Sequence, residues 1–170
     1  MSIIFPTYSE KKALSKSKQK KFCIWQIVTN RERKRMRKLA LSDEILLSID
    51  KAARYIGGEV NSVMKNLDGI DVRVAFCFPD VYEIGMSNLG MMLLYNMFNK
   101  RPDVWCERVY SPWLDLDKLM REKNIPLFAL ESQDPIKDFD FLCITLGYEM
   151  CYTNVLQTLD LSQIPLKAAD

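Results

Sequence analysis

The fold is decided by the stretch Val72-Arg-Val-Ala-Phe-Cys-Phe-Pro-Asp-Val-Tyr-Glu-Ile-Gly-Met-Ser-Asn-Leu-Gly90. Its first seven residues form an apolar run that is typical of a buried strand. After Pro79 the apolar residues recur at helical intervals. A strand, a loop containing Gly85 and a helix start in this order form the ligand-facing corner of an open α/β sheet. We therefore look for function at this corner first.

Strands and helices alternate on both sides of this corner. The apolar spacing predicts helices at 42–55 (with Ser42 or Asp43 as N-cap), 88–99 (capped by Ser87), 113–123 and 150–161, and strands at 71–78, 104–110, 125–130 and 139–146. Such alternation indicates an α/β fold with an open, doubly wound parallel sheet of Rossmann-like or flavodoxin-like type. A further strand is expected after Pro165, so we interpret the sequence as incomplete at its C-terminus.

Composition narrows the class of protein. The chain has 170 residues, of which 48% are apolar and 27% charged, as expected for one globular domain. No apolar run approaches the ~20 residues that span a bilayer, and the N-terminus lacks the apolar core of a signal peptide. Five scattered cysteines are expected to be buried, reduced thiols of a cytoplasmic protein. The absence of histidine argues against a zinc site and against histidine-based acid–base catalysis.

Charge is divided unevenly along the chain. Residues 1–38 contain twelve Lys or Arg and two acids, whereas the remainder is acidic. A basic arm is typical of a nucleic-acid tail, but this one has little aromatic interleaving, and we do not expect nucleic-acid binding. The run Asn30-Arg-Glu-Arg-Lys-Arg-Met36 fits purine-rich codons ahead of a start codon. Residues 1–38 are accordingly a disordered, solvated arm, or residues 1–35 precede a true start at Met36.

Ligands of such sheets bind beyond the carboxyl ends of the strands. The loops 79–87, 111–113, 131–134 and 147–153 are expected there, and Glu83, Glu131 and Glu149 are carboxylates that such an edge would bring together. The alternative interpretation is structural: a capped helix turn in which Gly85 relieves backbone strain, with solvated loop acids. Neither a G-x-G-x-x-G dinucleotide fingerprint nor a G-x-x-x-x-G-K-[ST] phosphate loop is present.

Five segments, in order, carry a resemblance to a known family. They are Ala53-Arg-Tyr-Ile-Gly-Gly-Glu-Val-Asn-Ser-Val63, the stretch from Pro79 to Gly90, Cys106-Glu-Arg-Val-Tyr-Ser-Pro-Trp113, Ile125-Pro-Leu-Phe-Ala-Leu-Glu-Ser132, and the stretch from Asp138 to Asn154. Together they resemble the N-terminal region of a bacterial family of radical S-adenosylmethionine (radical SAM) proteins, from about Leu39 to Leu166. Members begin with a cobalamin-binding-like α/β domain and continue into a radical domain.

The resemblance implies a domain plan and a cofactor. It implies a helical lead-in and linker over 39–70 and a truncated cobalamin-binding-like domain over 71–170. Cobalamin would bind without a histidine ligand, because the D-x-H-x-x-G motif is impossible here. The cofactor-binding candidates are Pro79, Tyr82, Glu83, Gly85, Ser87, Asn88, Gly147, Tyr148 and Glu149.

The resemblance also places the chemistry elsewhere. The C-x-x-x-C-x-x-C run that holds a [4Fe–4S] cluster for S-adenosylmethionine is absent from these 170 residues. Cluster and S-adenosylmethionine are expected only in a downstream radical SAM domain, which would be the partner of this one. The chain is thus predicted to be an accessory domain that is not catalytic on its own. The alternative is a non-catalytic Rossmann-like binding or interaction module.

Overall fold

A computed structural model describes residues 26–27 and 41–167 of the chain. Its strands are β1 (Gln26–Ile27), β2 (Val72–Phe78), β3 (Val104–Tyr110) and β4 (Phe141–Ile144). Its helices are α1 (Asp43–Ser48), α2 (Ala53–Ile56), α3 (Tyr82–Met86), α4 (Leu89–Asn99), α5 (Leu114–Glu122) and α6 (Tyr152–Leu161), and short 3-10 turns cover Ile136–Asp138 and Glu149–Cys151.

The strands form one sheet in the order β1-β4-β2-β3. β2 is parallel to β3, with Val72 opposite Val104, and parallel to β4, with Val74 opposite Phe141. β1 pairs with β4 in the antiparallel sense. The predicted α/β class with an open parallel sheet is confirmed for these three strands. Because the chain leaves β2 for β3 on one side and then crosses back to β4 on the other, the topological switch point lies between β2 and β4.

Each face of the sheet carries its own apolar core. On one face, Met91 and Tyr95 of α4 pack with Phe76 and Cys106. On the other face, α5, α6 and the lead-in helices cover the sheet, and the buried set there includes Leu116, Met120 and Leu161, together with Ile45 and Tyr55. Helices on both faces confirm the doubly wound prediction. The lead-in thus packs against the sheet and contributes buried side chains to its core.

Two predicted helix starts and ends differ from the structure. Ser42 is the N-cap of α1, as expected, with Ile45 N donating to its Oγ at 3.4 Å. The predicted helix over 42–55 is wrong in its middle, because Lys51 has a φ of 53° and separates α1 from α2. Ser87 is the C-cap of α3, and Asn88 is the N-cap of α4. The short helix α3 was not predicted, since Gly85 within it argued for a loop.

Two strand predictions also need correction. Residues 125–130 form no ladder with the sheet; Phe128 makes an isolated antiparallel bridge with Pro135. Pro126 has no N–H to donate, which disfavours a regular strand there. The strand predicted over 139–146 is shorter, because Ile136–Asp138 is a 3-10 turn and β4 ends at Ile144.

Several predictions concern residues that the structure does not describe. Met36, Cys23 and most of the basic arm lie outside the described residues, apart from the backbone pairing of Gln26 and Ile27. The other four cysteines are free thiols and are buried, as predicted. Among the described residues, no helix has the length and apolar character needed to cross a membrane.

Candidate functional site

The loops that follow β2 and β4 touch at the topological switch point. The hydroxyl of Tyr148 donates to Oδ2 of Asp80 at 2.8 Å, and Nδ2 of Asn154 donates to the Pro79 carbonyl at 2.9 Å. These contacts arise because β2 and β4 are parallel neighbours whose carboxyl ends reach the same edge. The structure therefore brings together two predicted site residues, Pro79 and Tyr148, from distant parts of the chain.

Gly147 and Glu149 flank Tyr148 on the exposed rim of this edge. A Cβ added to Gly147 would meet no heavy atom within 4 Å, so the backbone there is open to approach. Tyr148 is 47% exposed. Its side-chain hydrogen bonds to Cys151 and to Asp80 raise the pKa of Tyr148 above its ordinary value. The tyrosine is consequently a neutral hydrogen-bond donor at physiological pH.

Glu83 lies on α3 at the mouth of the first loop. Nε and Nη2 of Arg54 lie 2.9 Å and 2.8 Å from its Oε1. Hydrogen bonding to its own backbone N–H, and then the Arg54 partner, lower the pKa of Glu83. The carboxylate is ionised and committed to Arg54, which reduces its value as a general acid or base.

Ser87 and Asn88 satisfy backbone groups of the chain. The Ser87 hydroxyl donates to the carbonyls of Glu83 and Ile84, and Oδ1 of Asn88 accepts from Met91 N at 2.9 Å. Gly85 is buried inside α3. These three predicted site residues therefore have structural roles, in line with the capped-turn interpretation.

Tyr82 points away from solvent into a buried ionic cluster that sequence analysis missed. Its hydroxyl donates to Oε1 of Glu59, whose Oε2 accepts from Nη1 of Arg108 at 2.6 Å. Nε of Arg108 donates to Oε1 of Glu131 at 2.6 Å, and the Arg108 backbone N–H donates to Oε2 at 2.7 Å. Burial and the contact with Glu59 raise the pKa of Tyr82 to about 12. The cluster joins the Gly57–Glu59 turn, α3 and the end of β3.

The opposite face of β3 carries a second charged group. Glu107 receives a hydrogen bond from Nη2 of Arg73 at 2.5 Å and from Ser132 N at 2.9 Å. Nη1 of Arg73 also lies 2.9 Å from Oδ2 of Asp134. Residues 130–132 thus run along β3, held by Glu131 on one face and Glu107 on the other, and they cover the edge of the sheet.

The sequence did contain a signal for these buried ionic clusters, namely two adjacent charged residues inside an apolar strand. Val104-Trp-Cys-Glu-Arg-Val-Tyr110 is buried throughout, and paired charges in such a strand indicate internal ion pairs. Two alternatives were open for Glu131: a carboxylate that meets Glu83 and Glu149 at the sheet edge, or a solvated loop acid. Both are wrong, because the Glu131 carboxylate is buried and bound to Arg108. Within the described residues, no three His, Cys, Asp or Glu side chains are placed to hold a metal ion.

A small cavity lies near the end of β3, between Tyr55, Tyr110, Leu116 and Phe128. Its volume of about 20 Å³ suits roughly one water molecule. A corrinoid or a nucleotide does not fit this space.

Comparison with known proteins finds similarity over part of the chain. Residues 90–170 match the family model described as radical SAM proteins, N-terminal. Over 86 residues the chain is 29% identical to the uncharacterized protein MJ0966 of the archaeon Methanocaldococcus jannaschii; the matched part is 51% of this chain and 15% of that protein. The chain therefore spans only a small part of this relative. No solved structure matches the chain.

The matched region contains α4, β3, α5, β4 and α6, and so includes the second of the two loops at the switch point. It begins at Gly90, whereas the resemblance was expected from about Leu39. By this match, residues 90–170 are similar to the N-terminal region of radical SAM proteins.

Proposed function

We propose that this chain is the N-terminal accessory region of a radical SAM iron–sulfur protein, that it is of the cobalamin-binding-like type, and that it binds a corrinoid without a histidine ligand. The observation that carries the proposal is the contact between the loops after β2 and β4. It joins Pro79 and Asp80 to the loop of Tyr148 and to Asn154 at the switch point of a parallel sheet, in a chain of which residues 90–170 match radical SAM N-terminal regions.

The residues at this edge could hold a corrinoid through backbone and apolar contacts, without a histidine ligand to cobalt. A lower ligand to cobalt from histidine is impossible, because the chain has none. The open backbone at Gly147 leaves room for a broad, flat ligand, and the partly exposed Tyr148 ring offers it an apolar contact. Three of the candidate side chains already form hydrogen bonds within the chain, namely Ser87, Asn88 and Glu83. They would shape the surface of the site and would not donate or accept hydrogen bonds to the ligand.

Radical chemistry belongs, in this proposal, to another part of the protein. The 170 residues contain no C-x-x-x-C-x-x-C run, and four of the five cysteines are buried. The [4Fe–4S] cluster and S-adenosylmethionine would be held by a downstream radical SAM domain, the partner of this region. Reduced thiols of this kind suit a cytoplasmic protein. A bacterial source, as for the family that the motifs resemble, is part of the same proposal.

Corrinoid binding tests the proposal directly. The full chain is incubated with hydroxocobalamin and separated by gel filtration, and the visible spectrum of the protein peak is recorded. We expect corrinoid absorbance to co-elute with the protein. Gly147→Phe, which places a ring in the open space at the site, should reduce the bound fraction at least about tenfold. Lys118→Phe adds the same ring on exposed α5 and should leave binding unchanged.

A different result would favour the alternative function. If no corrinoid co-elutes with a folded chain, the cobalamin role is wrong. The chain is then a non-catalytic Rossmann-like binding or interaction module. The specific observation that favours this alternative is the large amount of apolar side chain exposed on α3 and α4.

A further inference from the structure

The helix α4 carries apolar side chains on its exposed side as well as on its buried side. Its sequence is Leu-Gly-Met-Met-Leu-Leu-Tyr-Asn-Met-Phe-Asn, with no charged residue. Met91 and Tyr95 are completely buried against the sheet. The opposite side presents Leu89, Leu93 and Met97, spaced by four residues, which are 72%, 60% and 45% exposed. Exposed apolar side chains that lie together on one side of a helix indicate an interaction surface.

The neighbouring helix α5 shows what a water-facing helix looks like in this protein. Its buried positions are Leu116 and Met120, whereas its outer positions include Lys118, Arg121 and Glu122. Lys118 and Arg121 form ion pairs at the surface with acids one turn away. Both helices pack against the same sheet through one face. Their outer sides differ, and the apolar outer side of α4 indicates that it faces another surface and not water.

Two further apolar side chains extend the exposed surface of α4 toward the candidate site. Ile84 and Met86 are exposed on α3, between Glu83 and the start of α4. We call the five residues Ile84, Met86, Leu89, Leu93 and Met97 the α3–α4 apolar face. A protein interface needs about 20–30 residues on each side. These five would form its apolar centre.

We propose that the α3–α4 apolar face is the docking surface for the catalytic part of a radical SAM protein, an inference that rests on the proposed function. The matched archaeal relative supports an occupant of this kind, because 15% of that protein corresponds to this chain and the rest is additional polypeptide. The face includes two residues of α3, the helix that follows the loop after β2, so an occupant seated on it would lie next to the candidate ligand site.

Charge argues against the basic arm as the occupant. Residues 1–38 carry twelve Lys or Arg and two acids, and the α3–α4 apolar face offers no carboxylate to pair with them. Burying the charged stretches of this arm, residues 10–21 and 31–38, against apolar side chains would strip their charges of water without compensation. The same apolar face of a second copy of the chain would match this one in polarity. A second copy would, however, supply no catalytic residues to the ligand site.

Photo-crosslinking in cells that naturally express the protein identifies the occupant. The photoreactive residue p-benzoylphenylalanine replaces Leu93 in the full chain, and Lys118 in the matched control on α5. We expect Leu93 to yield one adduct whose peptides, by mass spectrometry, come from a polypeptide carrying the C-x-x-x-C-x-x-C run. Lys118 should give less than about a tenth of that yield. A crosslinked dimer, an internal link to residues 1–40 or no adduct would each overturn the proposal.

A charge placed on the face provides the second readout. With the photoreactive residue at Ile84, Leu93→Asp should lower the adduct yield at least about tenfold, and Lys118→Asp should leave it unchanged. Thermal unfolding of the isolated Leu93→Asp chain should match the parent, since that side chain is mostly exposed. An unchanged adduct yield in Leu93→Asp would contradict docking through this face.

A probe at Met150 separates failure of the docking surface from failure of the proposed function. Met150 is 81% exposed beside the loop after β4. If Met150 captures the radical polypeptide and Leu93 does not, the accessory role stands and the docking face is wrong. If both positions capture only proteins without the cluster-binding run, both proposals fail.

Discussion

Gly85 of α3 lies directly against the ring of Tyr110 at the end of β3. A Cβ at Gly85 would lie 2.4 Å from Cε1 of that ring and 3.1 Å from Cβ of Phe78. The glycine is thus required by the close approach of helix to sheet. The same ring packs edge-on against Tyr82, with centroids 5.3 Å apart, so α3 is seated on the sheet by two contacts.

Replacing Gly85 with alanine tests that close approach. In an open helix this change gains up to about 1 kcal/mol. Here we expect Gly85→Ala to lower the free energy of unfolding by about 1–3 kcal/mol, because the ring or the helix must move. Gly147→Ala is the matched control and should change it by no more than about 0.5 kcal/mol, since the position is open. Urea denaturation measures both. A Gly85→Ala chain as stable as the parent would refute the packing role.

Breaking the Arg108–Glu131 pair should be among the most destabilising single changes in the chain. Glu131→Gln leaves the buried guanidinium of Arg108 short of one charged partner, and Arg108→Met strands the buried carboxylate of Glu131. We expect a loss of about 3–5 kcal/mol for Arg108→Met and a smaller loss for Glu131→Gln.

The surface pair of Arg121 and Asp160 provides the comparison for Arg108. Both side chains are about half exposed, so Arg121→Met should cost no more than about 1 kcal/mol. Chemical denaturation of the variants gives the two values. Equal costs for the two arginines would show that burial of the Arg108 cluster contributes nothing.

The raised pKa of Tyr82 predicts that the protein loses stability at alkaline pH. Its pKa is raised from 10.0 to about 12 in the folded state, so folding favours the protonated phenol. The stabilisation is complete below pH 10 and is lost as the pH rises through about 12. Tyr82→Phe removes this contribution. The difference in unfolding free energy between parent and variant should therefore shrink from pH 9 to pH 12, as followed by denaturation at several pH values. A constant difference would contradict the buried hydrogen bond to Glu59.

The Tyr148 hydroxyl links the loops after β2 and β4 without contributing much to global stability. Tyr148→Phe should change the unfolding free energy by less than about 1 kcal/mol, because the side chain is half exposed. Hydrogen exchange of the amides in 145–149 should nevertheless become faster, since the loop loses its contact with Asp80. Tyr152→Phe, at a comparably exposed tyrosine on α6, is the control. Unchanged exchange in Tyr148→Phe would mean that the contact does not hold the loop.

The sequence predicted the elements with a continuous or a periodic apolar pattern. β2 and β3 were located to within a residue because they are almost continuously buried, and α4 and α5 because apolar residues recur each turn. It failed where tertiary contacts override local preference. α3 forms although Gly85 weakens it, because the sheet needs a helix with no side chain at that point. Residues 125–130 form no ladder because Pro126 has no N–H to donate and the N–H groups of Leu127 and Ala129 donate to Leu161 and Asp134.

The location of the candidate site could be predicted from the sequence. The hydrogen-bond partners of its side chains could not. Parallel strands bring their carboxyl ends together, so the meeting of Pro79 and Tyr148 follows from topology. Which polar side chains are committed elsewhere does not follow from order along the chain. Glu83 is held by Arg54 and Tyr82 by Glu59, and both partners come from the lead-in region, far away in sequence.

The central position of β2 has a consequence for synthesis. This strand leaves the ribosome early, yet its partners are distant: Val72 pairs with Val104, and Val74 with Phe141. Until residue 141 has emerged, one edge of β2 has no parallel neighbour, and its apolar residues lack half of their eventual cover. Sheets built from such distant pairings form slowly, and their unpaired strand edges are prone to aggregation until pairing is complete. The nascent chain should therefore depend on a chaperone during the interval between the emergence of β2 and that of β4.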